Sequence, residues 1–454
     1  MKKTLTLLAL TAISYLGYTQ NSEACTENIS LLATSVKAKD GAAFDYLTTL
    51  RKDCPSFHKG IYYYGELAIK QRIESSKNES EKEQNIAELF KLYEEYFNYF
   101  PTDGAGVDMK KGLAMFSYSP EKKETVYNYF DKAFKQDNAN FTSTKGLYAY
   151  FEIFVNDYKA NAKGITLQQV FDKYDDISEK LTVLGKEDSE EKDILIAKEE
   201  AGNQLDTKET KRKARLEENL ENISIVSSSM DAIIVELSTC DKLIPFYQKG
   251  FEENKNNEVW LKRAADRLEA KECDTDPLFS KISEALYRLN PSADAAYKLG
   301  VVELQKKNTA KAMEYFNQAA DMFTDNTKKA TVYMKMASSY MKSNKSQART
   351  YARKALQVKP SYGRAYLLIA QLYGNSINDC GNNPFDKRAL YWLAAQYADK
   401  AAAVDSSLRD TANKMASSYR AAAPSRTEIF QSGKQGQRIA FDCWIGESVV
   451  VPTL

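Results

Sequence analysis

Three small-residue triads recur along the second half of the chain, and they restrict its fold more than any other feature. Ala312, Phe316 and Ala319 form the first, Ala348, Ala352 and Ala355 the second, and Ala394, Ala398 and Ala401 the third. The first two lie 36 residues apart. Positions three and four apart share one face of an α-helix. Small residues there let a neighbouring helix approach closely, and a large aromatic fills the space beside them. Each triad follows a stretch of aromatic and large apolar residues (AAYKLGVVELQ, VYMKMASSY and GRAYLLIAQLYG), so the repeating unit is a helix pair. Pro360 closes the second unit because its ring cannot continue a helix.

These residue types at this spacing resemble the tetratricopeptide repeat, a 34-residue helix-turn-helix unit. The resemblance implies an all-α fold, a tetratricopeptide-like solenoid or superhelix of helical hairpins, with a short β-like C-terminal tail. Weaker copies precede the triads, one closing at Pro291 and another at Pro101. Aromatics at helical spacing (Tyr129, Phe130, Phe134; Tyr148, Phe151, Phe154) read as filling between stacked helices rather than as ligand platforms. In Lys186–Asn222 more than half the residues are charged and Gly202 interrupts the run, which predicts a solvent-exposed helix or helical hairpin. The third unit is split by GNSINDCGNNPFDK, a loop composition. Ser425 and Glu428 match a capping box, and IAFDCWIGESVVV reads as one or two short strands. The expected organisation is a signal segment at 1–20, N-terminal repeats at 21–185, the charged segment at 186–222, a repeat block at 223–424 and a capping tail at 425–454.

The N-terminus reads as an export signal. Lys2 and Lys3 precede an apolar stretch from Leu5 to Leu16, with cleavage expected near Gln20. That stretch falls short of the roughly 20 residues a membrane span needs, and no later run reaches that length, so a soluble periplasmic protein is expected, alone or beside an outer-membrane complex. Glu23 breaks the lipid-anchor pattern ahead of Cys25, leaving it a structural thiol. Export permits disulfides. Six cysteines allow fifteen pairings. Cys25 and Cys54 bracket one helical hairpin, Cys240 and Cys273 a second, and Cys380 in the insertion is left with Cys443 in the tail. Sequential pairing is the expectation; buried free thiols are the alternative.

Chemistry is sparse. Lys and Arg number 63 against 62 Asp and Glu, a balance that gives no electrostatic capture of nucleic acid or anionic membrane. The one histidine, His58, reads as structural. No metal-binding, nucleophile-elbow or phosphate-loop motif occurs, so no enzyme activity, cofactor or metal is expected. The tetratricopeptide resemblance instead implies a concave surface lined by the first helix of each unit. Counted from the triads, Tyr297, Val301, Tyr333, Tyr340, Arg364 and Gln371 are expected to face it. Tyr297 and Val301 replace the Lys and Asn with which some co-chaperone repeats clamp a terminal carboxylate. Tyrosines beside one arginine suit an extended peptide or partner helix, although packing of repeat on repeat is the competing role. CDKLIPFYQKGFEEN, ARTYARKALQVKP and EIFQSG…CWIGES also resemble the C-terminal half of a group of exported tetratricopeptide proteins of Bacteroidota, over residues 235–454. The function expected is a non-enzymatic periplasmic scaffold binding a protein or peptide of the cell envelope. Glycan or small-molecule binding and an unrecognised hydrolase are the alternatives.

Overall fold

The computed structural model describes residues 22–453, so the expected signal segment at 1–20 lies outside the described residues. Two compact units divide at Ile177/Ser178. The first holds helices at residues 22–38 (α1), Ala43–Asp53 (α2), Gly60–Glu74 (α3), Glu79–Tyr99 (α4), Pro101–Gly104 (α5), Val107–Tyr118 (α6), Lys123–Gln136 (α7) and Thr144–Lys159 (α8). The division falls within Leu167–Glu200 (α9), ahead of the change at residue 186 expected from charge.

Helix starts in the first unit follow capping chemistry. The Asn78 side chain accepts from the Glu81 amide, and the Ser143 hydroxyl from the Gly146 amide. Each cap satisfies a backbone N–H that has no partner within the helix. The core is aromatic: Tyr62, Phe130, Phe141, Tyr150 and Phe151 are buried, and Tyr62 stacks on Tyr96 with ring centroids 4.9 Å apart. A Cβ on Gly112 of α6 would lie 2.6 Å from the Phe130 ring of α7, so the absent side chain sets the approach of that pair.

The second unit continues with Thr207–Ile233 (α10), Cys240–Asn254 (α11), Glu258–Ala270 (α12), Pro277–Leu289 (α13), Ala293–Gln305 (α14), Thr309–Met322 (α15), Asn326–Tyr340 (α16), Lys345–Val358 (α17), Gly363–Gly374 (α18), Pro384–Val404 (α19), Arg409–Ala422 (α20) and Arg426–Ser432 (α21). It is an all-α stack of tetratricopeptide-like hairpins. α14 packs on α15, α16 on α17 and α18 on α19, with each pair against the next. All nine triad residues are 0% exposed. Gly300 on α14 repeats the device of the first unit, since a Cβ there would lie 2.4 Å from the Phe316 ring.

The Ser425–Glu428 capping box is formed in both directions at the start of α21. The tail then makes a two-stranded antiparallel hairpin, Arg438–Phe441 (β1) with Glu447–Val450 (β2), pairing Ile439 with Val449 and Phe441 with Glu447. Disulfides join Cys25 to Cys54, Cys240 to Cys273 and Cys380 to Cys443. The third ties the insertion after α18 to the tail.

The charged segment forms a helical hairpin, one of the two forms its composition suggests, and it buries a few of its side chains against the repeats. α9 and α10 pair as a hairpin through Arg212–Glu191, Lys198–Glu209 and Asn219–Asp188 contacts, reversing at Gly202, which has φ +83°. Residues 178–200 of α9 lie along the edge where second helices end and first helices begin. Lys192, only 3% exposed, donates to the Val404 carbonyl at 2.7 Å, at the C-terminus of α19. Asp193 accepts the Ser361 amide at 2.9 Å, just ahead of α18. A cation at a helix C-terminus and a carboxylate at an N-terminus both match the helix dipole. Ile196 completes the contact, packed with Tyr366, Ala401, Val404 and Ala412.

Candidate partner-binding face

The first helices of the second unit are α12, α14, α16 and α18, and polar side chains link them rung by rung. Lys298 of α14 is buried between two carboxylates of α12, with Asp266 and Glu269 each at 2.6 Å. Burial opposes the Lys298 ammonium, but the two carboxylates outweigh it and hold its pKa above the usual lysine value. Asp266 and Glu269 are held below the carboxylate range by the same contact, despite their own desolvation. Tyr297 donates to Glu269 at 2.8 Å, and Lys335 of α16 approaches Glu269 at 3.6 Å. Lys328 pairs with Asp294 at 3.0 Å, and Thr331 meets the Tyr362 hydroxyl at 3.2 Å. Apart from Lys335–Glu269, which spans two repeats, these contacts join side chains roughly one repeat apart in sequence, so they hold hairpin to hairpin.

Against that frame the six expected surface residues separate into two groups. Val301 departs from expectation: it is 1% exposed and belongs to the core. Tyr297 is part-buried, with its hydroxyl committed to Glu269. Burial and repulsion from Glu269 both push its pKa above the ordinary tyrosine value. Tyr333 and Tyr340, two helical turns apart on α16, are partly exposed, and neither hydroxyl makes a hydrogen bond within the described chain. Arg364 and Gln371, equally spaced on α18, are exposed. The α14 positions are consumed by packing, and those on α16 and α18 stay accessible. Val301 carries no sequence mark of this difference, since an apolar residue suits either role.

Tyr340 stacks on Tyr351 of α17 with centroids 5.9 Å apart, and Lys354 of α17 reaches the Tyr351 and Tyr333 rings at 5.2 and 5.9 Å. Sequence spacing alone missed these two α17 residues, because it considered first helices only. Among the described residues no group of three or more His, Cys, Asp or Glu is placed to hold a metal ion, and no helix is long and apolar enough to cross a membrane.

No family model matches the chain, and no curated protein matches it. Among solved structures it is similar to yeast Tom70, at 10% identity over 90% of this chain and 98% of that one, with a TM-score of 0.27. A monomeric mutant of IFIT1 with Gppp-AAAA gives 11% identity over 87% of this chain and 89% of that one, with a TM-score of 0.29. A circular tandem repeat protein with a novel repeat topology gives 10% identity over 92% and 99%, with a TM-score of 0.23.

Proposed function

We propose that this chain is an exported, non-enzymatic helical-repeat scaffold that binds an extended segment of another cell-envelope protein in the periplasm. The observation that carries the reading is the contrast along the first helices. Tyr297 and Val301 are used internally, whereas Tyr333, Tyr340, Arg364 and Gln371 keep accessible side chains in a rigid, cross-braced frame. Tyrosine offers large contact area for little lost conformational freedom, and an arginine beside it adds directional donors. Three disulfides, with every described cysteine paired, support an oxidising compartment, as does the basic-then-apolar N-terminus. The test is in-cell photocrosslinking from position 340 or 371, with the exposed position 183 of α9 as control. Capture of one stoichiometric envelope protein from 340 and 371 but not from 183 is expected. No specific adduct from either position would overturn the reading.

A further inference from the structure

Helices α16, α17 and α18 together carry eight Lys and Arg and no Asp or Glu, in a chain that as a whole holds 63 Lys and Arg against 62 Asp and Glu. Five of these cations pair with carboxylates of neighbouring elements: Lys328 with Asp294, Lys335 with Glu269, Lys345 with Asp379, and Arg349 and Arg353 with a shared Glu447. Lys329, Lys354 and Arg364 make no ion pair within the described chain. These three are not scattered. Lys329 lies one turn ahead of Tyr333 on the same face of α16. Lys354 sits against the Tyr333 and Tyr351 rings. The Thr331–Tyr362 contact fastens the start of α18, where Arg364 projects, to the first half of α16.

We infer that this tyrosine-lined strip takes an acidic, extended segment of a partner protein, with carboxylates meeting Lys329, Lys354 and Arg364 and side chains lying on Tyr333 and Tyr340. The inference rests on the scaffold reading above and adds the charge of the partner. Three separated cations set among tyrosines suit discrete carboxylates. Nucleic acid held through its backbone draws its affinity from many phosphate contacts, on the order of 6–10 in strongly salt-dependent cases, and the other cations of these helices already face internal acids. Lys354 is exposed and held by rings rather than by a counter-charge. A carboxylate arriving there gains an ion pair without breaking one, at a site where cation–π contact has already oriented the ammonium.

The experiment uses the full mature chain against an array of synthetic peptides of about a dozen residues, graded in net charge from strongly acidic to strongly basic. Each acidic peptide has an Asn/Gln counterpart, and a single-stranded oligonucleotide of similar length is included. Acidic peptides should bind best, their amide counterparts about tenfold more weakly, and binding should fall steeply between low and moderate salt. K329E and K354E should each weaken the acidic peptides about tenfold. K307E, at an exposed lysine in the α14–α15 turn, should change nothing; circular dichroism checks each variant, with K354Q standing in if K354E fails to fold. Equal binding of amide peptides, equal loss in K307E, tighter binding of the oligonucleotide, or no binding by any acidic peptide would each overturn the assignment. A neutral or basic segment crosslinked at position 340 would also overturn it while leaving the scaffold reading intact.

Discussion

The Tyr397 hydroxyl of α19 donates to the Glu447 carboxylate of β2 at 2.9 Å. Tyr373 of α18 donates to the same carboxylate, and Arg353 of α17 pairs with it, so three consecutive helices converge on one side chain of the tail. Arg349 adds backbone contacts to Trp444 and Ile445 and lies 5.1 Å from the Trp444 ring. Ile439, Phe441, Ile445 and Val449 are buried beneath this clamp. The tail is therefore held to α17, α18 and α19 by charge, by apolar burial and by the Cys380–Cys443 bridge.

Replacing Glu447 with Gln should loosen the tail without unfolding the stack. Two hydroxyls and two guanidiniums lose a charged acceptor, at a cost of about 1–3 kcal/mol, reduced because the site is partly solvated. Amide hydrogen exchange should accelerate in 438–451 and stay unchanged in α14 and α15. Uniform acceleration across the unit would contradict a local clamp.

Gly300→Ala should destabilise the second unit by about 1–3 kcal/mol, because the added methyl meets the Phe316 ring and a packed core cannot yield freely. Adding Phe316→Leu should recover part of that loss. Urea unfolding of both single variants and the double gives the coupling. Additive losses would mean the two residues do not oppose one another.

The Lys298 network predicts a signed pH dependence. Asp266 and Glu269 are depressed, so their contribution is present above the ordinary carboxylate range and is lost as pH falls through their lowered values. Lys298 is raised, so its contribution is present below the usual lysine value and is lost as pH climbs through its elevated one. The stability gap between wild type and Lys298→Met should be flat near neutrality, about 3–5 kcal/mol, and should shrink at both extremes. Denaturant unfolding across pH measures it, and a gap indifferent to pH would refute the linkage.

Lys173, in the first unit, titrates in the opposite sense. Burial pushes its pKa down to about 8 against a weaker pull from Asp131, while the Tyr150 ring lies 4.0 Å from the ammonium. Between pH 8 and the usual lysine value the unfolded chain binds the extra proton, so this residue makes stability rise with pH there. The expected rise is on the order of 1–3 kcal/mol, measured as the difference from Lys173→Met in urea melts. A difference that falls over this interval would contradict the sign.

Local signals reached far into this fold. The triads, the Ser425 cap and the cysteines bracketing hairpins are all written within about forty residues, where helix periodicity and chain reversal decide the outcome. The Cys380–Cys443 bridge lies beyond that range and was reached by elimination. The role of α9 stayed hidden for a physical reason. Its decisive contacts, Lys192 with Val404 and Asp193 with Ser361, join residues 212 and 168 positions apart, and a buried lysine on a helix end has the same letter as a solvated one. The Glu447 clamp was invisible likewise, since its donors come from three separate helices. At the positions that spacing marks, Tyr333, Tyr340, Arg364 and Gln371 are partly or fully exposed, but spacing gives no sign that the equivalent α14 positions are filled from within.

The rod formed by α9 and α10 precedes in synthesis every hairpin whose edge it later lines. A growing polypeptide has made its brace before Ser361 or Val404 exists, so for that interval the brace has nothing to lean on. Its wealth of charge then has a plain use: it keeps an unemployed helix wet and unaggregated until the last hairpins arrive to claim it.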